Sequence, residues 1–172
     1  MKKYLPIYLL ILLGVLARLL PHAPNFAPIA AIALFGGLYL PRKMFFLPLA
    51  AMFLSDIIIG FYSWPIMATV YGCFIVSFLV GQLIKKQKNV RNIFSGTIFN
   101  SLLFFVATNL AVWAFGTMYP LNIAGLAESY VAAIPFFRNT LLGDMFYVTV
   151  LVGGYEAVKY WQTKRTTQEI LA

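Results

Sequence analysis

Charged residues are scarce in this sequence. Aspartate, glutamate, lysine and arginine make up 10% of its 172 residues, whereas a soluble domain carries about 25%. So few charged groups cannot cover the surface of a soluble domain. The hydrophobic content of 62% and the mean hydropathy of +0.84 instead predict a polytopic, all-α membrane helical bundle, with residues 1–172 forming a single integral membrane domain.

Cysteine and histidine are also nearly absent, with one of each. This excludes a disulfide scaffold and argues against a conventional zinc site. Gly36-Gly37 and Gly153-Gly154 lack the downstream Lys-Ser/Thr of a P-loop, and neither G-x-S-x-G nor H-E-x-x-H occurs. We therefore expect that the chain does not hydrolyse ATP, is not an enzyme and holds no cofactor.

Six apolar segments are candidates for membrane spans, because a spanning helix needs roughly 20 mainly apolar residues. Their approximate ranges are 4–20, 26–40, 44–62, 66–85, 92–116 and 139–161. The second segment is short and begins at Phe26-Ala27-Pro28. A bundle of five spans, in which the first two segments form one broken hairpin, is the main alternative.

The basic residues indicate how the spans are oriented. With the N-terminus inside and six alternating spans, the outer side receives only Arg18 and Arg138 of the 13 lysines and arginines. The inner side receives Lys2, Lys3, Arg42, Lys43, Lys85, Lys86, Lys88, Arg91, Lys159, Lys164 and Arg165. Such a bias predicts that both termini are cytoplasmic. The net charge of +8 is thus explained by topology, and we expect no nucleic-acid partner.

Several polar residues fall within or beside the outer halves of these segments. A charged group in the hydrocarbon region costs about 2.5–3.5 kcal/mol and normally faces a partner or a cavity. One interpretation is that Arg18 pairs with Asp56 or Asp144 and clamps the bundle. The other is an outward-facing pocket that binds a small molecule. Its predicted residues are Arg18, Asn25, Asp56, Asn109, Trp113, Asn139 and Asp144.

Small residues and the single cysteine each allow two interpretations. Ala27-x-x-x-Ala31 and Ala33-x-x-x-Gly37 place smooth strips on the second segment, which serve either packing within the bundle or docking of another membrane subunit. Cys73 is more often a buried packing residue, and its alternative role is that of a soft metal ligand in the pocket.

The stretch from Pro24 to Gly37 resembles the opening motif of a family of bacterial membrane proteins classed as transport proteins. It reads Pro-Asn-Phe-Ala-Pro-Ile-Ala-Ala-Ile-Ala-Leu-Phe-Gly-Gly. The later blocks of that family are matched by Ser55-Asp56-x-x-x-Gly60, Thr108-Asn109-x-Ala111-Val112-Trp113 and Gly143-Asp144-x-x-Tyr147. The whole pattern is similar to the substrate-binding S components of energy-coupling factor (ECF) transporters.

This resemblance implies a binder of a vitamin or similar micronutrient in the bacterial cytoplasmic (inner) membrane. Its partners would be a transmembrane coupling subunit and ABC-type ATPases. S components dock through an Ala-x-x-x-Ala face on their first helix, and the matching Ala27 and Ala31 lie here on the second segment. Some S-component-like proteins bind cobalamin through a cysteine, which makes Cys73 a possible cobalt ligand.

Two other classes of function fit the same residues. The chain could be a structural or assembly subunit of the membrane whose charges are internal clamps. It could also be an intramembrane enzyme that uses Asp56 and Asp144 as acid and base, which requires their pKa values to differ.

Overall fold

The computed structural model describes the backbone of residues 4–171, and the side chains of that range apart from 166, 167 and 169–171. Lys2 and Lys3, predicted to be cytoplasmic, lie outside the described residues. Residues 4–171 form six α-helices and no strand. The helices are α1 (Leu5–Leu19), α2 (Ile29–Tyr39), α3 (Phe46–Ile59), α4 (Trp64–Ile84), α5 (Val90–Phe115) and α6 (Ile123–Leu171). Each predicted segment therefore overlaps one helix.

Consecutive helices alternate in direction. Tyr8 near the start of α1 contacts Met44 just before α3, and Arg18 in the last turn of α1 contacts Asp56 in the last turns of α3. These two helices are therefore parallel. The stacked rings of Phe74 and Phe104, 6.0 Å apart, join the middle of α4 to α5, and Gly96 near the start of α5 lies against Val80 and Ile84 at the end of α4, as expected for antiparallel neighbours.

Alternation places most of the described cations at one end of the bundle, which we call the basic end. Lys85, at the end of α4, donates a hydrogen bond to the Leu40 carbonyl after α2. Lys88, before α5, pairs with Glu156 of α6. The connection to α3 with Arg42 and Lys43 follows directly after Leu40. The opposite end of the bundle contains Arg18 and Asp56.

Helix α2 forms the centre of the bundle and contacts each of the other five helices. Every residue from Ala30 to Leu38 is buried. At 1.5 Å per residue, its 11 residues extend about 16 Å, which is roughly half of a bilayer core. Its last carbonyls are capped at the basic end by the Gln82 amide, which donates to Gly37 and Leu40 at 2.8 and 2.9 Å.

Close packing of α2 on α4 depends on two glycines. A Cβ atom at Gly81 would lie 2.9 Å from the Cα of Gly37 and closer still to the carbonyl oxygen of Leu34. These neighbours are backbone atoms that cannot rotate away. The two helices thus meet backbone to backbone near the basic end, which leaves no space between them there.

Helix α6 is much longer than the segment 139–161 predicted from the sequence. It begins at Ile123, continues through Pro135 and spans 49 residues. Pro135 removes one backbone hydrogen bond, but the helix does not end there. The predicted segment therefore covers only part of this helix.

Within residues 4–171, three helical stretches are long and apolar enough to cross a membrane, namely Trp64–Gln87, Val90–Phe115 and Ile123–Arg165. The helices Leu5–Leu19 and Ile29–Tyr39 are apolar but shorter. The fold is thus all-helical, with helices compatible with membrane insertion.

Candidate functional site

A cavity of about 400 Å³ lies beyond the first turn of α2. It exists because α2 starts only at Ile29, whereas its neighbours continue past that level. All six helices contribute to its wall, and the volume lies in the range of small-molecule pockets. The wall consists of Arg18, Leu19, His22, Asn25, Ala27, Ile29, Ala30, Met52, Ile59, Tyr62, Val70, Phe74, Phe104, Thr140 and Asp144. We call this end of the bundle the cavity end.

The strongest polar interaction at the cavity end joins Arg18 to Asp56. The Nη2 atom of Arg18 lies 2.6 Å from Oδ1 of Asp56. The aspartate side chain is 0% exposed and the arginine side chain 12% exposed. An ion pair this deeply buried stabilises the fold only because both charges are compensated by further hydrogen bonds.

Those further bonds come from α3 and α4. Tyr71 donates its hydroxyl to Oδ2 of Asp56 at 2.7 Å. The Nη1 atom of Arg18 donates to the Ser55 hydroxyl and to the Met52 carbonyl. The Arg18–Asp56 pair therefore fastens α1, α3 and α4 together at the cavity end, as the clamp interpretation predicted for Arg18.

Arg18 retains donor capacity on the cavity side. A guanidinium group carries five N–H donors, and the described part of the chain engages three of them, at Met52, Ser55 and Asp56. Arg18 is also part of the cavity wall. The same side chain can thus hold α3 in place and donate to an acceptor group in the cavity.

Asp144 is the other buried carboxylate, and its surroundings differ from those of Asp56. It is 2% exposed and lies on the cavity wall. The Ser101 hydroxyl of α5 lies 2.6 Å from its Oδ2 atom and 3.0 Å from the Thr97 carbonyl oxygen, and its single proton can be donated to only one of these two acceptors. Among residues 4–171, no basic side chain pairs with it. Asp144 is therefore a buried acid without a counterion that faces an open space.

A second cavity of about 210 Å³ adjoins the first one. Asn25, Val70, Phe104 and Thr140 belong to both walls, so the two spaces meet along these residues. Asn25 has a φ of 62°, a left-handed conformation that asparagine tolerates better than most residues. The α1–α2 connection thus changes direction at Asn25, beside both cavities.

The structure unites part of the predicted site. Arg18, Asn25 and Asp144 lie on the wall of the larger cavity, and Asn109 lies on that of the smaller one. Asp56 lies behind the wall as the partner of Arg18.

Two other predicted residues line neither of these cavities. The Trp113 indole donates to the Pro120 carbonyl at 3.0 Å, and the Asn139 amide donates to the Pro24 carbonyl at 3.0 Å. Both side chains hold connecting segments and are not part of these two walls.

The predicted docking face of Ala27 and Ala31 is not exposed. Ala31 is 1% exposed and packs inside the bundle, while Ala27 belongs to the cavity wall. A separate subunit cannot reach Ala31, because α2 is enclosed by the other helices. Ala31 therefore serves internal packing, the alternative interpretation of this strip.

Cys73 does not reach either cavity. It is 6% exposed and belongs to neither wall. No cluster of three or more His, Cys, Asp or Glu side chains that could hold a metal occurs within residues 4–171. The proposed role of Cys73 as a cobalt ligand thus has no geometric support, and the residue serves packing.

The sequence did not point to the apolar part of the wall, which Phe74 and Phe104 form with nearly parallel rings at 21°. With 16 phenylalanines in the chain, nothing marked these two. Thr140 was detectable, because it precedes Asp144 by four residues and so shares a helix face with it.

The basic end has a polar cluster of its own. Glu156 of α6 accepts a hydrogen bond from the Tyr39 hydroxyl at 2.7 Å and forms an ion pair with Lys88. The ammonium group of Lys88 also lies 4.8 Å from the centre of the Tyr39 ring. Neither cavity reaches these residues.

Fold and site together define a class, namely an all-helical bundle with membrane-compatible helices and a polar-edged cavity at one end. A model of a family of unknown function, DUF6580, matches residues 1–167, and the chain belongs to this family. No curated protein and no solved structure matches it.

Proposed function

We propose that this protein is a membrane-embedded binder of a small molecule, similar to the S components of ECF transporters. It would capture a vitamin or similar micronutrient in the cavity beyond α2 and hand it to an ATP-driven partner module. The single observation that carries the proposal is the cavity of about 400 Å³, because it combines an apolar wall with Arg18 and Asp144 at its edge.

The charge distribution supports an orientation for this function. Most of the cations of the chain belong to the basic end, which we place in the cytoplasm, so that the cavity end faces outward. Six membrane-embedded helices, both termini inside and residence in the bacterial inner membrane complete the proposal. The helices α1, α2 and α3 are shorter than the thickness of a bilayer core. For α2 this is tolerated because the other helices enclose it.

A coupling subunit and ABC-type ATPases are proposed partners, since the chain has no P-loop of its own. Their docking surface is not the Ala27–Ala31 strip. Cobalamin is not part of the proposal, because Cys73 lies away from the cavity.

The proposal is tested by identifying small molecules released from the detergent-purified protein by mass spectrometry. A bound molecule added back at 100 times its Kd should stabilise the folded state by about 2.7 kcal/mol. Thr140→Phe fills the space shared by both cavities and should abolish this stabilisation. Both Thr140 and Thr149 bond only a backbone carbonyl one turn earlier in α6. Thr149 is exposed, so Thr149→Phe is the matched control that should retain it.

A second candidate function is that of a structural or assembly subunit. The observation that favours it is the pairing of Arg18 with Asp56, supported by Ser55 and Tyr71, because a clamp needs no ligand. This alternative predicts that no small molecule is recovered and that Thr140→Phe and Thr149→Phe behave alike. The third hypothesis, an acid–base pair of Asp56 and Asp144, lacks support because Asp56 is not on the cavity wall.

A further inference from the structure

We infer that the cavity takes a small organic cation whose positively charged nitrogen binds Asp144. This inference rests on the proposed function, since it names the chemical class of the bound molecule. It follows from the charges, the unused acceptor of Asp144 and the apolar wall.

Within residues 4–171, Asp144 has no charged partner on the cavity wall. Arg18 and Asp56 neutralise each other at 2.6 Å, whereas the described residues give Asp144 only the Ser101 hydroxyl. His22, the other ionisable basic group on the wall, is exposed and lies with its Nδ1 atom 3.0 Å from the Ala23 carbonyl oxygen. Burial makes ionisation of an unpaired carboxyl costly, so a cationic group in the cavity is the partner that would stabilise the charged form of Asp144.

Asp144 also has an unused acceptor atom. Ser101 occupies Oδ2, and no described residue donates to Oδ1. A protonated amine carries N–H donors that match this free oxygen. A charge-assisted hydrogen bond of this kind is stronger than a bond between two neutral groups.

The rest of the wall argues for an organic cation rather than a metal ion. Ile29, Met52 and Val70 offer only apolar side chains to the cavity, and the stacked Phe74 and Phe104 rings lie in the same wall. Hard metal cations require several oxygen ligands. Apolar and aromatic surfaces instead favour a flat hydrocarbon or heterocyclic body, and ring faces attract a cation.

Three probes of the same shape and different charge test the assignment, namely benzylamine, benzyl alcohol and benzoate. Binding to the purified full chain is measured by isothermal titration calorimetry in nonionic detergent. We expect benzylamine to bind about tenfold or more tightly than benzyl alcohol, and benzoate to bind more weakly than both. Equal affinities, no binding of any probe, or a preference for benzoate would overturn the inference.

The role of Asp144 is tested with Asp144→Asn, which keeps the shape of the side chain and removes its charge. This variant should lose the preference for benzylamine over benzyl alcohol. Glu156→Gln removes a negative charge from the same helix at the basic end and should keep it. A retained preference in Asp144→Asn would overturn the inference. If that variant fails to fold, the order of the three probes on the unaltered protein decides.

Two further results separate this inference from the proposed function. A neutral or anionic molecule released from the purified protein and bound in the cavity would overturn the cation assignment and leave the binder proposal in place. Stabilisation by NaCl relative to choline chloride, without binding of benzylamine, would assign Asp144 to an inorganic cation and also overturn it. Recovery of no molecule, together with equal behaviour of the two threonine variants, would reject the binder proposal itself.

Discussion

At both ends of the bundle, a carboxylate accepts a tyrosine hydroxyl and pairs with a basic side chain. At the cavity end the three residues are Asp56, Tyr71 and Arg18, and at the basic end they are Glu156, Tyr39 and Lys88. The two clusters differ in burial. The Asp56 side chain is fully buried, whereas those of Lys88 and Glu156 are 32% and 39% exposed.

The same three kinds of group are therefore expected to contribute different amounts to the stability of the fold at the two ends. Breaking a buried pair leaves a charge without compensation, which is strongly destabilising, while an exposed pair contributes little. The basic end is closed by backbone contact and needs little from its ion pair. The cavity end contains an open space and depends on its buried pair to hold the wall.

The largest effect is expected for Asp56→Asn. The change leaves the Arg18 guanidinium buried without its counterion, so the free energy of unfolding should fall by about 3–5 kcal/mol. The measurement is a denaturation curve in mixed detergent micelles followed by circular dichroism. A loss below about 1 kcal/mol, as for surface pairs, would remove the distinction between the two ends.

Gly81→Ala should come next. Its Cβ atom would press on the backbone of α2 at Gly37 and Leu34, and overpacking of this kind costs about 1–3 kcal/mol. The matched control is Gly72→Ala in the same helix, since a Cβ there meets nothing within 4 Å. Equal unfolding midpoints for the two variants would contradict the view that backbone contact closes the basic end.

Tyr71→Phe is expected to have an effect of about the same size as Gly81→Ala. It leaves Oδ2 of the buried Asp56 without its donor, and a hydrogen bond to a charged group contributes about 1.5–3 kcal/mol. Tyr39→Phe removes the corresponding bond to Glu156, where water can replace the hydroxyl. The same unfolding assay should rank Tyr71→Phe well below Tyr39→Phe in stability, and the reverse order would show that burial does not control these clusters.

The smallest effect is expected for Glu156→Gln. Its partner Lys88 is one-third exposed, so the lost pair should change the free energy of unfolding by less than about 1 kcal/mol. The unfolding midpoint in 0.05 M and 0.5 M salt measures this directly, because salt screens an exposed pair. A loss comparable to that of Asp56→Asn would mean that both ends depend equally on their carboxylates.

The sequence predicted the helical architecture well, because the apolar segments and the prolines and charges between them mark the helices. The first five segments end within about three residues of their helices. The start of α6 was misplaced because Pro135 indicates a break in sequence, whereas the helix continues through it. Proline is tolerated in membrane-type helices when neighbouring groups compensate.

The candidate site was predicted only in part. Charged residues such as Arg18 and Asp144 stand out in an apolar chain, and both lie on the cavity wall. Which of the two aspartates is paired depends on the packing of α1 against α3, and no spacing along the chain reveals it. The role of Ala31 could not be predicted either. Small residues at helical spacing indicate a closely packed helix, but not whether that helix belongs to the same chain or to another.

The length and burial of α2 have a consequence for how the protein is made. A helix that is apolar on all sides and only 11 residues long is too short to cross a bilayer alone, and it has no polar face with which to lie on the membrane surface. It finds a stable environment only when the other helices surround it. We therefore expect α2 to take its final position late in biogenesis. The cavity, which lies beyond its first turn, would then form in the last step of assembly.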